Sequence, residues 1–273
     1  MPGGAVFRKA RTGAPAGFFR CEAAGLRWLG EAHRAGAADR PTGPRVVRVR
    51  AVGDDHLDLE RVEAASPTSA AAARFGRDLA ALHDAGAAAW GAPPPGWAGD
   101  AFFGPLDDPL PLPTGSWPSW AEFWGEARLR PVAAQGLGRG ALERADADAL
   151  ARLADRAPRW DTGDAPARVH GDLWSGNVLW APADPGPPGE VEAVLIDPAA
   201  HGGHREADLA MLALFGAPHL DAVLAAYDAA HPLARGWQER VAVHQVYPVA
   251  VHAVLFGGGY LAQLRRMVDA LLA

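Results

Sequence analysis

The fold is decided by the stretch Val169-His170-Gly171-Asp172-Leu173-Trp174-Ser175-Gly176-Asn177, followed by Leu195-Ile196-Asp197-Pro198. These residues place two carboxylates, Asp172 and Asp197, and the carboxamide of Asn177 on two short loops, each next to a β-rich run. A carboxylate can accept a proton from a hydroxyl group, and carboxylate and amide oxygens are ligands that Mg²⁺ favours. The two stretches therefore predict a site for acid–base and metal chemistry.

The spacing of these groups is that of a phosphoryl-transfer site. In the loop H-R-D-x-x-x-x-N, the Asp accepts the hydroxyl proton, and the Asn and a later Asp hold the Mg²⁺ ions that bridge nucleotide phosphates. Here Gly171 replaces the Arg, Asn177 keeps its place, and Asp197 follows an apolar run where the second Asp belongs. Either stretch alone is also compatible with ordinary turns. Together they predict a phosphotransferase that uses ATP and Mg²⁺, with Asp172 as the catalytic residue and Asn177 and Asp197 as metal ligands.

Composition narrows the class of protein. The 273 residues can bury a substantial core, and the net charge of −6 argues against a nucleic-acid binder that works through bulk charge. Cys21 is the only cysteine, which excludes an intrachain disulfide and favours a reducing compartment. The chain starts without the pattern of a signal peptide and has no apolar run long enough to span a membrane. We therefore expect a cytoplasmic protein without a membrane partner.

The hydrophobic periodicity predicts an α+β fold with two lobes, residues 1–64 and residues 65–273, and a hinge near 60–67. In the first lobe we expect strands over 5–10, 46–52 and 57–62 and a helix over 18–36. A further helix is expected to begin at Ser66-Pro67, because Ser is a good N-cap and Pro suits the first helical position.

The second lobe is predicted to be mostly helical. Residues 91–120 are too irregular for a long element, 120–129 and 141–154 look helical, and the glycines of 136–140 are interpreted as a loop. Strands are expected over 178–180 and 191–196. Helices follow from Arg205 onward, with Pro248 bending or breaking one of them.

The segments HGDLWSGN (170–177) and IDPAAHGGHREADLAM (196–211) resemble the fructosamine kinase and ketosamine-3-kinase family. This family is related to aminoglycoside phosphotransferases and has a protein-kinase-like fold. Shorter similarities at 7–9, 57–62 and 120–129 support the resemblance. It implies a small antiparallel sheet in the N-terminal lobe and ATP-dependent phosphorylation of a sugar hydroxyl on a ketosamine (a fructosamine or ribulosamine) in deglycation.

The resemblance also implies roles for residues of the first lobe. Lys9 matches the lysine that contacts the nucleotide phosphates, Glu22 matches the helix glutamate that pairs with it, and Glu60 is expected to offer backbone groups to the adenine while its side chain faces water. A lysine held by a carboxylate is already in place at the phosphates, so less entropy is lost on binding. Without the resemblance, Lys9 and Glu22 could equally be a solvated surface pair.

The chain departs from the family at its start, where Met1 to Arg8 replaces two strands and a glycine-containing loop over the phosphates. We expect either that a longer protein exists or that this form lacks the phosphate lid and is catalytically silent. The motifs are also compatible with an aminoglycoside, choline or homoserine kinase. The expected partner is a small sugar amine, with a glycated protein as a further candidate, and both a monomer and a homodimer are compatible with the sequence.

Two other features suggest chemistry less strongly. His201, His204, Glu206 and Asp208 could be imagined as zinc ligands, but no second ligand pair of regular spacing appears. We expect Arg205, Glu206 and Asp208 to bind one another as a structural network, with Asp208 holding the His170 loop. Trp174 is interpreted as a packing residue.

Overall fold

The computed structural model describes residues 5–34, 43–184 and 186–273. Its strands are β1 (Val6–Ala10), β2 (Arg45–Val46), β3 (Val49–Val52), β4 (His56–Glu60), β5 (Ala101–Phe103), β6 (Leu110–Leu112), β7 (Ala167–Val169), β8 (Val178–Pro182), β9 (Val191–Leu195) and β10 (His201–Gly203). Its helices are α1 (Phe18–Arg34), α2 (Ser69–Asp84), α3 (Trp120–Trp124), α4 (Arg130–Gly138), α5 (Arg144–Asp155), α6 (Arg205–Phe215), α7 (Leu220–Ala230), α8 (Trp237–Phe256) and α9 (Gly259–Leu272). A π-helical turn, Gly125–Leu129, joins α3 to α4, and 3₁₀ turns lie at Ala157–Arg159 and Ser175–Asn177.

The first strands form the small antiparallel sheet that the sequence predicts, in the order β1-β4-β3. Helix α1 packs beside this sheet and buries Phe19, Leu26 and Leu29, which follow one another at helical spacing. The strand predicted over 46–52 is two short strands instead. β3 pairs with β4, whereas β2 pairs in parallel with β9, far along the chain. A pairing partner so distant in sequence leaves no local signal.

The hydrophobic core lies in two clusters, and the first of them extends across the predicted lobe boundary at residue 64. It joins α1 and β4 to α2, β9 and α7 through Phe19, Leu57, Leu79, Leu195 and Tyr227. The hinge was predicted near 60–67; Glu60 is the last residue of β4, and residues 61–68 lie outside helices and strands. The division into lobes stays a prediction, since the two parts are joined by this shared core and by the β2–β9 pair.

The second core cluster lies among α3, α4, α5, α8 and α9 and includes Trp120, Leu150, Val246 and Leu264. The prediction of a loop at the glycines of 136–140 is wrong in part, because helix α4 extends to Gly138. The helix forms despite its glycines because Val132 is buried in the core.

Helix α2 begins later than predicted. Thr68, not Ser66, is its N-cap, and the Thr68 hydroxyl accepts a hydrogen bond of 3.1 Å from the backbone N–H of Ala71. Pro67 therefore precedes the cap. Further along, α2 packs closely on α7, where a Cβ atom at Gly76 would lie 2.2 Å from the carbonyl oxygen of Val223.

The last quarter of the chain is helical, as predicted. Pro248 does not break its helix, because α8 is continuous through this position. Within the described residues, no helix combines the length and the apolar character that a membrane span requires.

Candidate active site

The loop between β7 and β8 carries the His-Gly-Asp motif and is held by a buried carboxylate. Asp208, in the first turn of α6, accepts hydrogen bonds from the backbone N–H groups of His170 (2.7 Å) and Gly171 (2.9 Å). His83 on α2 lies 3.1 Å from the same carboxylate through Nε2, and its Nδ1 is 2.8 Å from the hydroxyl of Tyr227. These bonds confirm the prediction that Asp208 holds the loop, and they tie the loop to three helices.

Within the loop, the residue before Asp172 has to be glycine. Gly171 has a φ of +82°, and a Cβ atom there would lie 2.2 Å from the carbonyl oxygen of Ala199. His170 links the two motif stretches, because its Nδ1 accepts from the backbone N–H of Asp172 (3.2 Å) and its Nε2 donates to the carbonyl of Ile196 (2.9 Å). Burial lowers the pKa of His170, so the imidazole is neutral and serves as a spacer between the two loops.

The three polar groups of the motif converge at one place. The Asn177 amide nitrogen donates to the Asp172 carboxylate (3.1 Å) and to the backbone carbonyls of Asp172 (2.8 Å) and Asp197 (3.4 Å). Asp197 has a φ of +51°, a left-handed conformation that Asp tolerates better than most residues. Its side chain is 42% exposed, and the amide oxygen of Asn177 takes no part in these bonds. The Asp197 carboxylate and the Asn177 amide oxygen are both hard oxygen ligands of the kind that Mg²⁺ prefers.

Asp172 has the electrostatics of a general base. Burial raises its pKa to about 7, and the carboxylates of Asp197 and Asp208 add to the effect, while the hydrogen bond from Asn177 opposes it. A carboxylate whose pKa lies near neutrality can both exist in its charged form and hold a proton once it has accepted one. The position of Asp172 thus suits proton transfer from a bound hydroxyl.

Lys9 on β1 lies between two carboxylates. Its ammonium group is 2.8 Å from Glu22 on α1 and 3.2 Å from Asp197. Burial alone would lower the pKa of Lys9, but these two carboxylates outweigh it and the pKa is raised. Burial raises the pKa of Glu22 to about 7, with Lys9 acting against the rise. The pair is therefore inside the cleft, not on a solvated surface, and presents a fixed cation next to Asp197.

Five of the six predicted site residues line one cleft with a volume of about 350 Å³: Lys9, Glu22, Asp172, Asn177 and Asp197. Glu60 is not among the residues that line it. The side chain of Glu60 does not face water as predicted, since it is buried and lies 3.1 Å from Arg45, which also pairs with Glu192 of β9. The β2–β9 pairing places Glu192 beside Arg45, and Glu60, the last residue of β4, reaches the same guanidinium.

The cleft also has aromatic walls that sequence reasoning missed. Trp174 packs against Phe215 but is 40% exposed and lines the cleft, so its interpretation as a packing residue covers only one of its faces. His252 and Phe256 also line the cleft and contact one another, and His252 contacts the Phe215 ring that Trp174 packs against. Their spacing of four residues on a helix was the available signal for a shared face.

The predicted network of Arg205, Glu206 and Asp208 is wrong in its pairing. Glu206 binds Arg240 and Asp208 binds His83. Arg205 lies 3.3 Å from Asp164. Successive residues of a helix point in different directions, so each finds its partner on another element.

Tertiary structure does bring a second histidine to His204 and Glu206. Ligand atoms of His204, Glu206 and His244 lie within 4.8 Å of one another. However, the Nδ1 of His204 accepts from the backbone N–H of Glu206, and the Glu206 carboxylate is held by Arg240. Because two of the three groups, His204 and Glu206, are already engaged, we interpret the cluster as structural.

Comparisons with known proteins point to the same family as the sequence motifs at 170–177 and 196–211. A family model described as fructosamine kinase matches residues 2–273. A probable ketoamine kinase of Synechocystis sp. is 35% identical over 259 residues, which is 93% of this chain and 78% of the relative. The crystal structure of a protein assigned as a fructosamine-3-kinase from Thermobifida fusca is 43% identical, with a TM-score of 0.82 over 98% of this chain and 85% of that chain.

A more distant structure, an aminoglycoside phosphotransferase in complex with gentamicin, is 12% identical. Its TM-score is 0.55 over 98% of this chain and 83% of that chain, a likeness of fold alone. With the closer matches it confirms the predicted kinase-like α+β fold.

Proposed function

This chain belongs to the fructosamine kinase family, and we propose that it transfers the γ-phosphoryl group of Mg-ATP to a sugar hydroxyl of a ketosamine. Membership of this family makes the chain a phosphotransferase. We further propose that ATP is the phosphoryl donor, that Mg²⁺ is the metal, and that the residues of the cleft have the roles given below. The observation that carries it is the Asp172 carboxylate, which has a pKa of about 7 and lies in the same cleft as Lys9, Asn177 and Asp197.

In the proposed reaction the acceptor hydroxyl oxygen forms a bond to the γ-phosphorus while the bond from that phosphorus to the bridging oxygen of ADP breaks. The hydroxyl proton passes to the Asp172 carboxylate, which Asn177 keeps in place through its amide N–H. Lys9, held by Glu22, balances charge on the phosphates. Asn177 and Asp197 would hold Mg²⁺, which supplies further neutralisation of phosphate charge when it is bound.

The acceptor is proposed to lie on the aromatic side of the cleft. Trp174, Phe102 and Phe256 line the same space as Asp172 and offer flat apolar faces. Sugar rings carry C–H groups that pack on such faces while their hydroxyls remain free for hydrogen bonds. We place the reaction in the cytoplasm, because Cys21 is the only cysteine of the chain, which leaves no intrachain disulfide and fits a reducing compartment.

The experiment is a comparison of Asp172→Asn with the wild type on a ketosamine acceptor, with ADP release as the readout. The substitution preserves shape and removes the proton acceptor, so kcat should fall by roughly 10²- to 10⁴-fold. Binding of Mg-ATP, followed by calorimetry, should persist in the variant. Undiminished turnover would remove Asp172 from the mechanism.

A panel of aminoglycoside, choline and homoserine acceptors tests the substrate class. Transfer to one of these and not to ketosamines would refute the proposed acceptor. Binding of Mg-ATP without transfer to any acceptor would favour a catalytically silent protein.

A further inference from the structure

A group of aromatic rings that contact one another lies beside the cleft. Phe215, the last residue of α6, packs against Trp174 of the motif loop and against His252 of α8, with ring centres 6.1 and 5.0 Å apart. His252 also contacts Phe256, the last residue of α8, and Tyr260 in the first turn of α9. We call these five residues the aromatic patch.

The aromatic patch is exposed to an unusual degree. Five large hydrophobic side chains are exposed among the described residues, and three of them belong to the patch: Trp174 (40%), Phe215 (37%) and Phe256 (58%). Gly216 and Gly257 follow the two phenylalanines, and a Cβ atom added at either glycine would have no contact within 4 Å. The part of the chain that the structure describes thus leaves these rings uncovered. A contiguous exposed apolar surface is typical of a binding site.

The patch is also neutral. The Nδ1 of His252 donates to the backbone carbonyl of Pro248 (2.7 Å), and burial lowers the pKa of His252, so its ring is uncharged at pH 7. The charged residues that line the cleft pair among themselves or with Asn177: Lys9, Glu22, Asp172 and Asp197. An occupant of the patch therefore meets flat, uncharged faces, which favour apolar groups over ions that would have to give up their hydration.

The patch is continuous with the catalytic cleft. Trp174, His252 and Phe256 line the cleft together with Asp172, whereas Phe215 and Tyr260 do not. The patch thus begins inside the cleft and continues outside it. An acceptor with a hydroxyl at Asp172 can place its other end on these rings.

We propose that the aromatic patch binds the substituent on the nitrogen of the ketosamine, and that the preferred acceptors carry an apolar chain or ring there. This inference rests on the proposed function. The nitrogen of a ketosamine is bonded to the sugar, so a sugar held at Asp172 carries its substituent out of the cleft. Because the rings are exposed already, the substituent can bury apolar surface against them without breaking contacts within the protein.

Two acceptors that differ only in the length of this substituent test the inference in the wild-type enzyme. These are 1-deoxy-1-methylaminofructose and 1-deoxy-1-butylaminofructose, which differ by three methylene groups. A half-covered methylene group should favour the acceptor about twofold, so kcat/KM, measured from ADP release, should be roughly 5- to 10-fold higher for the butyl compound. Equal values would overturn the inference and leave the proposed function standing. Transfer to neither acceptor would overturn both.

A carboxylate at the end of the chain separates apolar contact from chain length. The acceptor 1-deoxy-1-(3-carboxypropylamino)fructose has a chain of the same length as the butyl compound, but the chain ends in an ion that the neutral patch does not pair. Its kcat/KM should return to about the value of the methyl compound. A value equal to that of the butyl compound, or above it, would contradict the proposed contact.

The variant Phe256→Ala tests whether the patch is the origin of the preference. It removes the most exposed ring, and the ratio of kcat/KM for the butyl compound over the methyl compound should fall to less than about half of its wild-type value. Val6→Ala is the matched control, because Val6 is similarly exposed and does not line the cleft, and its ratio should stay at the wild-type value. A full preference retained in Phe256→Ala would overturn the inference.

The variant Phe256→Lys adds a readout that a merely structural role would not move. A cation at this position should pair with the carboxypropyl chain and raise kcat/KM for that acceptor, relative to the butyl compound, by roughly two- to fivefold, as expected of an exposed ion pair. The same ratio as in the wild type would show that the substituent does not reach Phe256, which would overturn the inference.

Discussion

Asp208 shows how one buried side chain sets the geometry of the loop that carries Asp172 without lining the cleft. It is 1% exposed, and its two oxygens receive backbone N–H groups from consecutive residues, His170 and Gly171. Burial would raise its pKa, but the hydrogen bond and charge of His83 outweigh this, so the pKa is lowered. The carboxylate is therefore charged at neutral pH and accepts all three bonds.

The variant Asp208→Asn should harm both stability and activity. The amide would direct an N–H group towards a backbone N–H, so one buried donor would lose its partner at a cost of about 2–3 kcal/mol. We expect a lower urea midpoint and, well below the melting temperature, a kcat reduced at least tenfold, since the loop that carries Asp172 loses its support. Asp155→Asn, in an exposed ion pair, is the control and should behave as the wild type. Normal kcat in Asp208→Asn would show that the loop keeps its shape unaided.

At the scale of the element, helix α2 connects the fold to the site. Its N-terminus is fixed by Thr68, its middle packs on α7 at Gly76, and its last turn carries His83, the partner of Asp208. The sequence pattern predicted the helix but placed its start two residues early. Ser66 and Thr68 are both good N-caps, and only the observed backbone distinguishes them.

Alanine substitutions at the two candidate caps separate the predicted start from the observed one. Thr68→Ala removes the acceptor for the Ala71 N–H and should lower the free energy of unfolding by about 1 kcal/mol. Ser66→Ala removes no cap and should change it by less than about 0.5 kcal/mol. Urea denaturation at pH 7 measures both. The reverse order of effects would place the cap at Ser66.

The close contact between α2 and α7 predicts that Gly76 does not tolerate a side chain. In Gly76→Ala the new methyl group would overlap a backbone carbonyl of α7, which cannot move aside as a flexible side chain would. We expect a loss of about 1–3 kcal/mol, larger than the gain in helix propensity. Gly138→Ala in α4 is the control, since no atom lies within 4 Å of its added Cβ, and it should be neutral or slightly stabilising. Equal melting temperatures for the two variants would contradict the contact.

At the scale of the whole molecule, charged pairs join elements that are distant in sequence. Arg265 on α9 donates to both oxygens of Asp146 on α5, at 2.7 and 2.9 Å. The hydrogen bond from Arg265 holds the pKa of Asp146 below its ordinary value, with burial acting the other way. The ion pair thus couples the C-terminal helix to the helical core around Leu150.

This pair predicts a pH dependence of stability. Because the pKa of Asp146 is lower in the folded state, its contribution is fully present above the ordinary Asp pKa and is lost as the pH falls through the folded-state value. Asp146→Asn should therefore be less stable than the wild type at pH 7, and the difference should shrink towards pH 3. Urea denaturation at the two pH values measures this. A difference that grows at low pH would contradict the assignment.

The sequence pattern was enough to predict the kinase-like class and five of the residues that line the cleft. The spacing of Asp172, Asn177 and Asp197 is local, and local spacing fixes which groups two neighbouring loops can present. Lys9 and Glu22 were identified as site residues through the resemblance to a family, and the structure places them in the same cleft. Their roles remain predictions.

Only the packing of distant elements shows that Glu60 faces Arg45, that His244 lies beside Glu206, and that Arg128 is buried against the Tyr247 ring. In each case the partner depends on elements far apart in the chain. Periodicity and motif spacing report on a residue's own neighbours in sequence. They carry no information about which distant carboxylate reaches a given cation, because that is set by how helices and strands pack together.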